Sequence, residues 1–293
     1  MSKLFKDGFA IRRRFNAFKR QDYTSVQPRE ARRRLEKAVG PLPYVNWPFH
    51  QTSAVTRARV IDEDKEDITK LSTFGAPPSE FTGLGRANLP DYPVFYGTFD
   101  GRTAMQELKV KRDTECFVTI WEFRKRPIVS TFLRHADDRN DFIKIDTKLR
   151  DQVPWEVRAI FTKGSFNTAM KLRSSLFTGS NEEISARLAH EVNYDGYAQS
   201  DAVLYPSVID PYRCNIAIHP EFAHANLKCV LMLKQVWSGA FIFRTLARGF
   251  PDGVNVVWKQ TGDYESHDDV WRKYSGGRGP NEIHPDALKV WRE

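Results

Sequence analysis

Five polar side chains stand beside turns or at the borders of apolar runs, where a folded chain most readily presents chemistry. They are Arg57 in AVTRARV, Arg86 in GLGRAN, Tyr96 in PVFYG, Glu107 in TAMQEL and Ser207 in LYPSV. The two arginines offer planar, permanently charged donor forks suited to an anion. A carboxylate, a phenol and a hydroxyl complete a set able to bind an anionic substrate and steady charge that develops on it. Taken one at a time, each has a plainer explanation. Arg57 could be the solvent side of a strand, Tyr96 a core phenol with its hydroxyl satisfied, Ser207 a turn former after Pro206, and Glu107 a solvated helix position. Arg59, two residues beyond Arg57, shares its face in an extended strand and competes for the same role.

Familiar machinery is missing from the sequence. There is no GxxxxGK[ST], and neither GLGRAN nor SGGRGP completes a GxGxxG between a strand and a helix, so both common nucleotide loops are excluded. The seven histidines form no HExxH, and the nearest pair, His219 and His224, lacks cysteine or carboxylate ligands at metal spacing, so no metal site is expected. No GxSxG elbow is present, which argues against a serine hydrolase.

Several local patterns position the five groups. Residues 54–61 alternate small or apolar positions with Thr56, Arg57 and Arg59, the period of a half-buried strand. After a charged turn at residues 62–67, Gly83 and Gly85 permit a backbone reversal that would strain other residues. Val94, Phe95 and Tyr96 form a short strand broken by Gly97. Asp100 then caps a helix beginning near Arg102. On that helix Ala104, Glu107 and Leu108 are neighbours, which sets Glu107 half-buried beside an apolar stripe. ECFVTIWEF, residues 115–123, is a strong strand and residues 128–132 a weaker one, while residues 147–161 tend towards helix. Ser180 with Glu183 has the form of a capping box opening a helix that runs to Val192. Strands follow at residues 202–208, 213–218 and 228–236. Short strands interspersed with a few helices, without regular β-α-β alternation, give the α+β class.

Charge is uneven along the 293 residues: residues 1–39 hold twelve Lys and Arg against four Asp and Glu, within a net charge of +8. Two readings stand side by side: an anionic partner, whether nucleic acid, membrane surface or a phosphorylated small molecule, or a mildly basic soluble protein with a solvated surface. Pro28 and Gly40 bound a helix on which Leu35 and Val39 share a face, giving a surface helix that docks lightly or meets a partner. PLPYVNWPFH links this arm to the core, and residues 238–293 form an appended, partly helical segment. The expected organisation is a basic extension and linker over residues 1–50, a catalytic domain over 51–237 and a C-terminal extension over 238–293, packed on the core. Cys116, Cys214 and Cys229 are widely spaced with no CxxC pair and are expected to be buried, reduced thiols, which suits a reducing compartment. The N-terminus has no apolar h-region, and no uncharged run approaches the roughly 18 residues of a membrane helix, so a cytoplasmic protein without a membrane partner is expected.

The order of an arginine, then GRANLPDYPVFYGTFDGRTAMQE, then YPSV followed by RCNIAIHPE, resembles the RES family, named for its Arg, Glu and Ser. The resemblance covers roughly residues 51–237. It implies a fold like that of ADP-ribosyltransferases, with a core of short, mostly antiparallel strands and flanking helices. It also implies an NAD+-degrading toxin of the kind commonly paired with an Xre-type antitoxin. Residue by residue, Arg57 takes the place of the family arginine with Arg59 as its rival, Glu107 that of the glutamate and Ser207 that of the serine. Arg86 and Tyr96 are accessory. NAD+ is then a substrate, and neither a cofactor nor a metal is expected.

Nicotinamide leaves NAD+ as a neutral molecule, so the reaction needs no general acid. Glu107 is expected to stabilise an oxocarbenium-like ribose and to admit the nucleophile. Arg57 and Arg86 suit the pyrophosphate. Tyr96 would stack on the nicotinamide ring or bond the ribose, and Ser207 would donate to a phosphate or orient Glu107. The acceptor is water, giving ADP-ribose, or inorganic phosphate, giving a phosphorylated ADP-ribose. Two other classes stand beside this glycohydrolase or phosphorylase: an ADP-ribosyltransferase that modifies a macromolecule, and a basic nucleic-acid-binding module on residues 1–39. A homo-oligomer is a further candidate assembly.

Overall fold

The computed structural model describes residues 5, 7–41, 45–47, 54–99, 101–132, 160, 162–196, 200–210, 213–237, 242–261 and 264–266. The helices are α1 (Gly8–Lys19), α2 (Pro28–Val39), α3 (Gly101–Leu108), α4 (Lys163–Ser174), α5 (Glu182–Asn193) and α6 (Pro220–Asn226). The strands are β1 (Val45–Trp47), β2 (Ala54–Arg59), β3 (Phe95–Thr98), β4 (Glu115–Phe123), β5 (Val129–Thr131), β6 (Ala202–Pro206), β7 (Cys214–Ile218), β8 (Leu227–Trp237), β9 (Ile242–Asp252), β10 (Asn255–Gln260) and β11 (Tyr264–Ser266). Helices beside largely antiparallel strands make this an α+β fold. Its described residues fall into two compact units, each assembled from separated stretches of chain.

The first unit takes residues 1–48, 78–94 and 128–219. Its strands run β1-β5-β6-β7, with β5 and β6 parallel and the other pairs antiparallel. At its centre lies α5, buried along Ile184 to Asn193. Asn181 caps it, accepting from the Ile184 N–H, so the cap falls one residue after the expected Ser180. Helix α2 begins with Pro28 at its first turn and ends at Gly40, whose φ of 94° belongs to the left-handed region that glycine tolerates. The expected light docking is not what α2 does. Ala31, Leu35, Ala38 and Val39 bury a full face, and Leu35 alone contributes about 2 kcal/mol of apolar burial. Two alanines carried half of that face, so the apolar stripe looked too thin in the sequence. Helix α2 packs on α5, and α1, with Ile11, Phe15 and Phe18 buried, packs on α4. A reciprocal Thr162–Ser165 capping box opens α4, a helix the sequence reading passed over.

Residues 49–77, 95–127 and 220–293 form the second unit. Its antiparallel order is β3-β2-β4-β8-β9-β10, and β11 also pairs with β9. Strands β4 and β8 are its spine. Ala54, Cys116, Val118, Ile120, Leu231 and Leu233 line one sheet face, which Met105 and Leu108 of α3 cover. The run FIFRTLARGF, expected in a partly helical segment, is strand: it falls largely within β9, which pairs with β8 and β10. Asp100 and residues 147–159, where a cap and a helix are expected, lie outside the described residues.

All three cysteines are free and buried. Burial pushes the Cys116 thiol up to about 12 and raises that of Cys229 as well. Among the described residues no helix is long and apolar enough to cross a membrane.

Candidate functional site

Strand alternation decides which groups share a surface in the second unit. Val55, Arg57 and Arg59 lie opposite Trp121, Thr119 and Phe117 of β4, and these six side chains occupy one face. Ala54, Thr56 and Ala58 occupy the other, the face against which α3 packs. On β3, Thr98 is the partner of Thr56, which puts Thr98 and Tyr96 on the α3 side and Phe95 and Gly97 on the Arg57 side. Gly97 does not break the strand as expected but sits within it. A Cβ there would lie 3.3 Å from the Val55 Cβ and 3.4 Å from the Thr56 carbonyl oxygen, so the residue's bareness lets β3 approach β2.

Arg57 is the best-defined polar group of this set. Its guanidinium lies over the Phe95 ring at 5.2 Å and donates from Nη1 to the Tyr96 carbonyl oxygen at 3.0 Å. Its Nε–H is buried and has no partner among the described residues. Burial, assisted by the neighbouring charge of Arg59 and opposed by Tyr96, lowers its pKa to about 10. It therefore remains a cation at neutral pH, and an anion arriving at the Nε edge would relieve both deficits. Arg59 is occupied differently. It pairs with Glu66 through Nη2 at 2.7 Å and donates from Nη1 to the Thr73 carbonyl. Of the two rivals in TRARV, only Arg57 keeps a buried donor without a partner among the described residues.

Glu107 lies near the end of α3, on the flank that carries Thr103 and Ala104, and is half-buried as its helical spacing predicted. Met105 and Leu108, by contrast, turn to the sheet. Tyr96 and Glu107 thus belong to the α3 side of β3 and β2, and Arg57 comes from the other face, meeting Tyr96 through its backbone.

Arg86 and Ser207 belong to the first unit. Arg86 donates from Nη1 to the carbonyls of Phe177 and Gly179 at 3.1 and 2.8 Å, and its Nη2 lies 3.4 Å from Glu182. These contacts fasten the loop after Gly85 to the connection between α4 and α5. Ser207 is fully buried immediately after β6. Its Oγ accepts from the N–H groups of Ile209 and Asp210, both at 3.2 Å, and its own N–H donates to the Arg213 carbonyl at 3.0 Å. The expectation of a turn-forming serine and that of a functional hydroxyl are compatible. With both lone pairs engaged, the hydroxyl can act only as a donor.

Sequence reasoning overlooked Phe95, the aromatic floor under Arg57. The signal was available: in a strand, the neighbour of Tyr96 must face the other way. It also overlooked Glu66 and Thr73, whose hold on Arg59 separates the two arginine candidates. No spacing rule links those residues, because hydrogen-bonded turns at residues 62–66 and 67–70 intervene between Arg59 and Thr73.

A family model described as the RES domain matches residues 56–237. That span contains Arg57, Arg59, Arg86, Tyr96, Glu107 and Ser207. No curated protein matches the chain.

Proposed function

The chain belongs to the RES domain family, and from that membership we propose that it is an NAD+-degrading enzyme whose activity arrests growth. The observation that carries the reading is Arg57, a half-buried cation over Phe95 whose buried Nε–H has no partner among the described residues, at the position where this family is expected to bind its substrate.

In the proposed reaction the bond between ribose C1′ and the nicotinamide nitrogen breaks, and its electron pair leaves with neutral nicotinamide. Water adds to C1′ and loses a proton to solvent, giving ADP-ribose, nicotinamide and H+. Inorganic phosphate in place of water gives the phosphorylated sugar. Glu107 places negative charge beside the developing oxocarbenium ion and orients the nucleophile. Its half-buried position supports this, since partial desolvation strengthens the attraction.

Arg57 binds the pyrophosphate, using its Nε–H and the remaining Nη donors. Arg86, held by two carbonyls and facing Glu182, supports the reading as a support for the Gly85 loop rather than as a phosphate ligand. Tyr96 contacts the nicotinamide ribose from the α3 side. Ser207 takes the place of the family serine, and its Oγ, accepting from the Ile209 and Asp210 N–H groups, fixes the turn after β6 in the first unit. In a cell, an Xre-type protein would be the expected restraint on such an activity.

Tracing NAD+ labelled in its adenylate half tests the reaction class. Label recovered as free ADP-ribose or its phosphate supports degradation. Label fixed on protein or nucleic acid would instead establish ADP-ribosyl transfer.

A further inference from the structure

The segment between β2 and the first residues of the Gly85 loop is tied down at two sides. On its inner side Arg59 grips Glu66 and the Thr73 carbonyl, and Phe74, 1% exposed, packs its ring 5.6 Å from that of Phe117. Phe117 is the register partner of Arg59, so residues 66–74 lie across the sheet face that carries Arg57. On its outer side the same segment is bound to β10 and the turn before it. Leu71 donates to the Val254 carbonyl at 2.9 Å, Val256 to the Thr69 carbonyl at 2.8 Å, and Lys70 to the Asn255 side chain at 2.9 Å.

Trp258 joins the two sides. Its Nε1–H donates to the Ile68 carbonyl at 2.9 Å, and its ring packs 5.6 Å from Phe117 and 6.1 Å from Phe74. Gly249 on β9 makes the seat: a Cβ there would lie 2.9 Å from a Trp258 ring carbon. Trp258 and Gly249 both lie beyond the end of the RES match at residue 237.

We infer that Trp258 is a positioning residue, through which the β9–β10 hairpin holds residues 66–74 as a strap over the Arg57 face and so shapes the wall against which substrate binds. The inference rests on the proposed NAD+ reaction for its kinetic consequence, but not for its structural one. The strap borders the arginine that binds the ground-state anion and does not touch Glu107's side of the sheet. Loosening it should therefore weaken substrate binding more than it slows bond cleavage.

The test compares the full chain with Trp258→Ala, Trp258→Phe and Gly249→Ala, using brief trypsin digestion and NAD+ kinetics. Lys65 and Lys70 are the cleavage points to follow. In Trp258→Ala, loss of the ring and its hydrogen bond should speed cutting there about tenfold and raise KM about tenfold, with kcat changed less than about threefold. Trp258→Phe keeps the ring packing and should recover most of the KM change. Should Trp258→Ala fail to fold, Gly249→Ala, which displaces the ring without removing it, should show the same digestion pattern. Cutting at Lys65 and Lys70 no faster than in the native chain, in a folded variant, overturns the strap. Equal loss of kcat and kcat/KM, with KM unchanged, overturns the positioning role. If the native chain does not turn over NAD+, the functional reading fails, and the digestion result alone decides the strap.

Discussion

The Arg57 Nη1 donates to the Tyr96 carbonyl oxygen at 3.0 Å while its Nε–H remains buried without a partner among the described residues. One edge of the guanidinium thus ties β2 to β3, and the other is the edge proposed above to meet the pyrophosphate. Lysine retains a cation at this position but cannot serve both edges, because its ammonium is a point donor. Arg57→Lys is expected to raise KM for NAD+ at least about tenfold with a smaller fall in kcat, as loss of a charge-assisted bond implies. Initial rates over a wide range of NAD+ concentration check this, and an unchanged KM would remove Arg57 from substrate binding.

The ion pair between Arg32 and Glu191 makes a prediction about stability that is independent of function. Arg32 Nε lies 2.8 Å from Glu191, with side chains only 13% and 3% exposed, and Arg32 also reaches Glu36 at 2.6 Å. Burial lifts the Glu191 carboxyl above the ordinary range against the pull of Arg32. Arg32→Met would strand that carboxylate and should cost about 3 kcal/mol. Adding Glu191→Leu should return most of the loss, because an apolar pair of similar volume needs no desolvation. Urea unfolding of the two single variants and the double variant measures the coupling.

His190 gives a pH dependence. It is buried on α5, with the Tyr92 ring edge-on at 4.4 Å and Tyr194 stacked at 5.0 Å, and its Nδ1 has no partner among the described residues. Burial lowers its pKa below the ordinary 6.5; Asp195 pulls the value back up and Arg187 pushes it further down. Between the lowered folded value and 6.5 the unfolded chain binds more protons, so stability rises with pH in that window. The contribution is present above 6.5 and is lost as pH falls towards and through the folded pKa. Urea midpoints should therefore fall as pH drops from 6.5 towards the folded pKa, and His190→Gln should flatten the slope. A slope unchanged by the substitution would assign the effect to other groups.

What could be seen in the sequence followed the strength of the local pattern. ECFVTIWEF was legible as β4 because nine residues with this composition have few alternatives, and Pro28 and Gly40 marked α2 because each is fixed by its backbone chemistry. Helix α4 was missed although Thr162 and Ser165 form a capping box, since Arg173 occupies a core position and hides the stripe of Phe166, Ala169 and Met170. That arginine is 2% exposed, donates to the Thr131 carbonyl and lies over Phe132. The C-terminal strands were misread because their pattern depends on partners far away: Gly249 makes sense only beneath Trp258. At the candidate site, residue types were legible and allegiances were not. Nothing local distinguishes Arg57 from Arg59, and the distinction arises from Glu66 and Thr73, brought in by turns.

Nicotinamide release from NAD+ by the purified chain, with and without inorganic phosphate, beside Glu107→Gln, tests the proposed NAD+ degradation most directly. The native chain should give stoichiometric nicotinamide and ADP-ribose, or its phosphorylated form. Glu107→Gln should lower kcat about a thousandfold with an unfolding midpoint close to native. A folded native chain that releases no nicotinamide in either buffer, or a Glu107→Gln variant as fast as native, would contradict the proposal.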